Sequence, residues 1–133
     1  MQRPPVRVVC ACVVRDARVF VARRGPTMEH AGTWEFPGGK VEPGETDHGA
    51  LRRELVEELA WRVEVDGLAG EGTTGRVHLV GYLCRADAEP TLTEHDAAGW
   101  FGTDELCALG WAPADAPVLA GLMALLGATP RPA

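Results

Sequence analysis

No stretch of these 133 residues approaches the roughly 18 consecutive apolar residues that carry a helix across a bilayer, so no membrane span is expected. The opening "MQRPPVRVVCACVV" lacks the layout of a secretory leader, because Arg7 interrupts a short apolar run and no cleavage-like end follows. Cysteine is sparse: Cys10, Cys12, Cys84 and Cys107 have neither CxxC spacing nor the density of a disulfide scaffold. Cys10 and Cys12 would share one face of a strand as small core residues, and a cytoplasmic location is expected. Basic excess is missing too. Thirteen Lys and Arg stand against 19 Asp and Glu, a net charge of −6, which argues against a nucleic-acid polymer as partner. A small phosphorylated ligand stays compatible, because metal ions and a few local arginines reverse the sign inside a cleft. With no internal repeat and no linker, the length implies one domain over residues 1–133.

What the sequence does hold is a mixture of strands and helices. Val6 to Val14 alternates and is rich in β-branched residues; "RDA" turns, and Arg18 to Arg23 completes a hairpin. "RRGPTMEHAGT" is a polar loop, and "WEFPGGK" a short extended piece ended by Pro37 and two glycines. A helix is predicted from Thr46 as N-cap, with Asp47 in its first turn, buried along Leu51, Leu55 and Leu59, and fading near Ala60-Trp61. Further strands are predicted at Arg76 to Arg85 and at "DAAGWFG", a short helix at "TDELCAL" capped by Thr103, and a final helix at Val118 to Leu126 before a frayed "GATPRPA". The fold class is α/β with a mixed sheet.

The segment "PGGKVEPGETDHGALRRELVEEL" concentrates the chemistry. At 100° per residue, Glu54, Glu57 and Glu58 fall within an arc of about 100° at the edge of the leucine stripe. The ordinary reading is a solvated acidic face paired with Arg52 and Arg53. Carboxylates at i, i+3 and i+4 can also converge on a hard divalent cation, and a carbonyl in the Gly38-Gly39 turn can add a ligand. Gly39, then five residues, Glu45, then seven residues and "RELVEELAW" resemble the Nudix box, about residues 39–61. Ala60 is the single departure, standing where the pattern has glycine. Beyond the box, "ARRGPTMEHAGTWEFPGGKVEPGE" and "GWAPADAPVLAGL" look like the MutT-type branch and its relatives that hydrolyse CTP.

That resemblance implies a Nudix α/β/α sandwich and a pyrophosphohydrolase that cleaves a (deoxy)nucleoside triphosphate to the monophosphate and pyrophosphate. The implied cofactor is Mg²⁺, with Mn²⁺ as a possible substitute, and the implied role is sanitation of the nucleotide pool. Carried over position by position, Glu54, Glu57 and Glu58 would bind metal, joined by the Gly38 carbonyl. Arg53 would hold Glu54, while Gly39 and Glu45 would support the box. The proton acceptor is Glu54 or Glu94, the latter also a candidate metal ligand, and His95 beside it is read as a bystander. Phosphate binding falls to Arg24 or Arg23, with Lys40 and Arg76 as weaker candidates, because a guanidinium fork meets phosphate oxygens with two bonds.

Asp115 is the candidate base reader, with Phe36, Trp34 and Trp100 as stacking partners; a helix N-cap is its ordinary role. An ionised aspartate only accepts, which suits the two donors of a guanine or 8-oxoguanine edge. The "APAD" context looks instead like the cytosine-nucleotide relatives. Both substrate classes stay open here, as does a monomer or a homodimer. Two alternatives accompany them: hydrolysis of another nucleoside-diphosphate conjugate, such as ADP-ribose or a dinucleoside polyphosphate, and a non-catalytic nucleotide sensor.

Overall fold

The computed structural model describes residues 3–127. Its chain runs β1 (Val6–Arg15), β2 (Arg18–Arg23), β3 (Trp34–Glu35), β4 (Gly38–Lys40), α1 (Asp47–Leu59), β5 (Glu64–Thr74), β6 (Val77–Arg85), β7 (Ala97–Phe101), α2 (Thr103–Leu106) and α3 (Ala116–Leu125), with a 3-10 turn at Pro113–Asp115. β1 is the spine. It pairs parallel with β6 from Val6 to Val13 and antiparallel with β4 from Val8 to Cys10, then with β2 at the hairpin. β2 carries β3 and β7, and β5 lies outside β6, so the sheet is mixed as expected. Asp16 and Ala17, both with positive φ, close the β1–β2 hairpin in the way two-residue connections of twisted strands do.

Alternation along β1 builds two cores. Val9, Ala11 and Val13 face α1, whose Leu51, Leu55 and Leu59 are fully buried around Trp61. Cys10 and Cys12 face the other way, with Val118, Leu122 and Met123 of α3. A helix therefore covers each face of the sheet, and burial of these apolar stripes is the main drive to fold. Thr46 caps α1 by accepting the Gly49 N–H at 3.0 Å. Arg7 forks onto Asp47, which also accepts from Tyr82, and this fixes the start of α1 against β1 and β6.

Several expectations need correction. β5 has no counterpart in the sequence reading, because Gly67, Gly70 and Gly72 disguise it. Those last two glycines have a packing reason: a Cβ on Gly70 would lie 2.9 Å from the Val118 carbonyl, and one on Gly72 would collide with Pro117. α3 approaches the strand closely only because both are glycine. Thr103 is the first residue of α2 rather than its cap; Gly102 takes the cap position, donating to Glu105 at 3.0 Å. α3 begins two residues earlier than predicted, and apart from Gly127 the "GATPRPA" tail lies outside the described residues.

Candidate active site

A cleft of about 480 Å³ opens beside β1 and β4. Gly38, Gly39 and Lys40 line it from β4, Glu58 from α1, and Phe36 and Asp115 from the opposite core. Among the expected residues, this cleft gathers Gly38, Gly39, Lys40, Glu58, Arg24, Phe36 and Asp115.

Arg53 organises the box. Its Nε and Nη2 donate to the two oxygens of Glu45 at 2.8 Å each, while Nη1 reaches Glu54 at 3.0 Å and Glu57 at 3.1 Å. Nη2 also donates to the Lys40 carbonyl at 3.1 Å, tying α1 to β4. Glu45 in turn accepts the Glu42 N–H at 2.9 Å, and Arg53 holds its carboxyl down at about 2. The two readings of Arg53, holding Glu54 and pairing with Glu57, are thus both realised. Gly39 has a reason of its own, since the Glu54 carboxylate occupies the space its Cβ would need.

Glu58 has no such partner among the described residues. Burial pushes its carboxyl up to about 7, and the charge of Glu54 adds to this, as do Glu35 and Glu94, while His95 works in the opposite direction. No group of three Asp, Glu, His or Cys side chains is gathered as a ready metal cage among the described residues. The donor set nevertheless fits a hard divalent cation: oxygen ligands, an excess of negative charge, and a half-buried carboxyl that a positive charge would ionise. Glu57, more than half exposed, and Glu54, nearly buried, flank it on the same helix. Glu94 is exposed in the loop before β7, and the neighbouring Thr93 hydroxyl donates to the Glu58 carbonyl at 2.9 Å.

The expected phosphate-binding residues separate. Arg24 lines the cleft, with Nη1 on Glu35 and Nε on the Glu29 carbonyl. Arg23 points elsewhere, paired with Asp96 at 2.8 Å, and Arg76 donates to the Pro4 carbonyl at 3.1 Å. The aromatic candidates separate too. Phe36 lines the cleft and packs on Trp111, whereas Trp34 meets Phe101 edge-on and Trp100 packs with Phe20 and Trp61 in the α1-side core.

Asp115, 6% exposed, occupies the N-cap position of α3 without capping it. Its Oδ2 accepts the Phe36 N–H at 2.9 Å instead. Burial raises its carboxyl to about 7 against the opposing effect of that hydrogen bond. One residue escaped the sequence reading. Glu35 bridges Arg24 and His95, and His95, read as a bystander, is buried on that bridge. An acid between Trp34 and Phe36 was the hint.

Clustered carboxylates on one helix, set beside a cleft of nucleotide size with a buried hydrogen-bonding group in it, fit a metal-assisted phosphate-cleaving enzyme. Residues 4–122 match the NUDIX domain, and the chain belongs to the Nudix family. It is 42% identical over 127 residues to a protein of Mycobacterium tuberculosis named putative 8-oxo-dGTP diphosphatase 2, covering 86% of each chain. It is 39% identical over 131 residues to the Escherichia coli CTP pyrophosphohydrolase, covering 94% of this chain and 96% of the relative. The solution structure of the E. coli ORF135 protein superimposes with a TM-score of 0.79 at 36% identity, over 92% of this chain and 91% of the other.

Proposed function

We propose that this Nudix enzyme, a nucleoside triphosphate pyrophosphohydrolase, works with Mg²⁺ and takes cytosine nucleotides by preference, such as CTP, dCTP or 5-methyl-dCTP. The observation that carries the choice of base is Asp115. Its Oδ2 already serves the Phe36 N–H, and its carboxyl titrates near neutrality. A carboxyl that can share a proton meets a donor beside an acceptor, which is the cytosine N4–N3 edge. The ionised form favours a guanine-type edge, so 8-oxo-dGTP is the second reading; the names of the two relatives divide in the same way.

Glu54, Glu57 and Glu58 would hold the metal with the Gly38 carbonyl, and Mn²⁺ would replace Mg²⁺. Bound there, the ion supplies charge neutralisation of the phosphates and lowers the pKa of an attacking water. Water adds to one phosphorus, the bridging P–O bond breaks, and monophosphate and pyrophosphate leave. Glu54 or Glu94 takes the proton of that water. Arg53 fixes Glu54, and Arg24 and Lys40 meet the phosphate oxygens.

Pyrophosphate release from CTP, dCTP, 5-methyl-dCTP, dGTP, 8-oxo-dGTP and ADP-ribose with Mg²⁺ tests the reading. Cytosine nucleotides should have the highest kcat/KM at neutral pH, with 8-oxo-dGTP gaining on them as pH rises. ADP-ribose turning over fastest would replace the triphosphate assignment.

A further inference from the structure

His95 and Glu35 form a buried bridge between the cleft, which Glu35 lines, and the loop before β7. The His95 side chain is 2% exposed, and its Nε2 lies 2.7 Å from Glu35 Oε2. Glu35, 13% exposed, gives its other oxygen to Arg24 Nη1. A carboxylate this buried is tolerated because both of its oxygens are met. The loop that carries His95 is fastened on two sides. Toward α1, Thr91 donates its N–H to the Leu59 carbonyl at 2.7 Å and Thr93 its hydroxyl to the Glu58 carbonyl at 2.9 Å. Toward β2, the Asp96 N–H donates to the Arg23 carbonyl at 3.2 Å, and Gly25 backs onto the Glu94 carbonyl so closely that any Cβ would collide. Glu94 sits between these anchors, next to the histidine whose side chain points inward.

We infer that Glu35 and His95 are positioning residues, a buried bridge that sets Arg24 and the loop bearing Glu94 in fixed relation to each other and to Glu58. The inference rests on the reading of Arg24 and Glu94 as working groups. Neither bridge residue touches the reacting atoms. Removing His95 leaves Glu35 half satisfied and releases the loop between Thr93 and Asp96. Removing the charge of Glu35 weakens its hold on both Arg24 and His95.

The experiment is Mg²⁺-dependent pyrophosphate release from CTP and 8-oxo-dGTP by wild type, His95→Ala, His95→Gln, Glu35→Gln, Glu94→Gln and the His95→Ala/Glu94→Gln double variant, with thermal midpoints for each. His95→Ala should lower kcat at least about 10-fold. His95→Gln, which keeps an N–H near the position of Nε2, should recover most of that loss. Glu35→Gln should raise KM as well as lower kcat, because Arg24 loses its anionic partner. In the Glu94→Gln background, His95→Ala should lower kcat by a clearly smaller factor than in the wild type, since coupled residues do not add. Equal losses in Ala and Gln, or the same factor in both backgrounds, would overturn the bridge and leave His95 a core residue. Wild-type turnover in Glu94→Gln would overturn the role of Glu94 alone. The bridge would then be decided by the His95→Gln recovery and the Glu35→Gln effect on KM. Should His95→Ala fail to fold, those two near-isosteric variants carry the decision.

Discussion

Ala60 shows how a single residue registers a departure from a motif. The box has glycine here, and the alanine adopts the same left-handed backbone, φ 48° and ψ 41°, with its N–H on the Leu55 and Val56 carbonyls. A Cβ in that conformation is strained by about 1 kcal/mol. Ala60→Gly should raise stability by at most about 0.6 kcal/mol, after the extra freedom of glycine in the unfolded chain is subtracted, read as a higher urea midpoint at unchanged slope. Asp115 makes a pH-dependent case. Its carboxyl stands at about 7 when folded and near the ordinary 3.8 when unfolded, so the folded protein holds the proton longer. The contribution of Asp115 to stability is therefore full below about pH 4, falls as pH rises to about 7, and is gone above, by about 1.4 kcal/mol for each unit separating the two values. Asp115→Asn keeps an oxygen for the Phe36 N–H and should flatten that slope, measurable by urea melts from pH 4 to 8. Glu58 shifts in the same direction. Glu58→Gln should thus cost little stability at pH 8 while lowering turnover at least about 10²-fold.

At the level of elements, β5 and α3 depend on each other. A methyl group at Gly72 meets Pro117 in the first turn of α3, two residues beyond Asp115. Gly72→Ala should destabilise by about 1–3 kcal/mol, as overpacking does, and should weaken the cytosine-to-guanine discrimination more than it lowers turnover. A thermal midpoint and paired kcat/KM values check both parts. The same strand explains what could be read beforehand. α1 was legible because its leucines repeat every fourth residue and its cap, arginine and glutamates all lie on that one helix. β5 was not, because a strand with glycines at the helix contact loses both its alternation and its β-propensity. The chemistry divides similarly. The contacts of Arg53 with Glu54 and Glu57 are local and could be anticipated, whereas the Phe36 N–H that engages Asp115 is 79 residues away and has no local signature. Glu35 and His95, 60 residues apart, were hidden for the same reason.

Across the whole molecule, the two proposed tasks start from different faces of the sheet. The glutamates of the box ride on α1, which packs against the Val9, Ala11 and Val13 face of β1; Asp115 and α3 belong to the Cys10 and Cys12 face. Asp115→Ala should accordingly leave divalent-metal affinity within about twofold, by calorimetry, while altering the ratio of kcat/KM between CTP and 8-oxo-dGTP. Mg²⁺ affinity itself should rise with pH through about 7 and be accompanied by proton release, because Glu58, in its proposed role as ligand, would have to ionise; calorimetry in buffers of different ionisation heat reads this. A partition of this kind has a consequence for descent. On the proposed division of roles, the turn that precedes α3 can be rewritten without disturbing the carboxylates of α1, so the choice of base in this chain can drift through a handful of substitutions while the helix that carries the glutamates is kept.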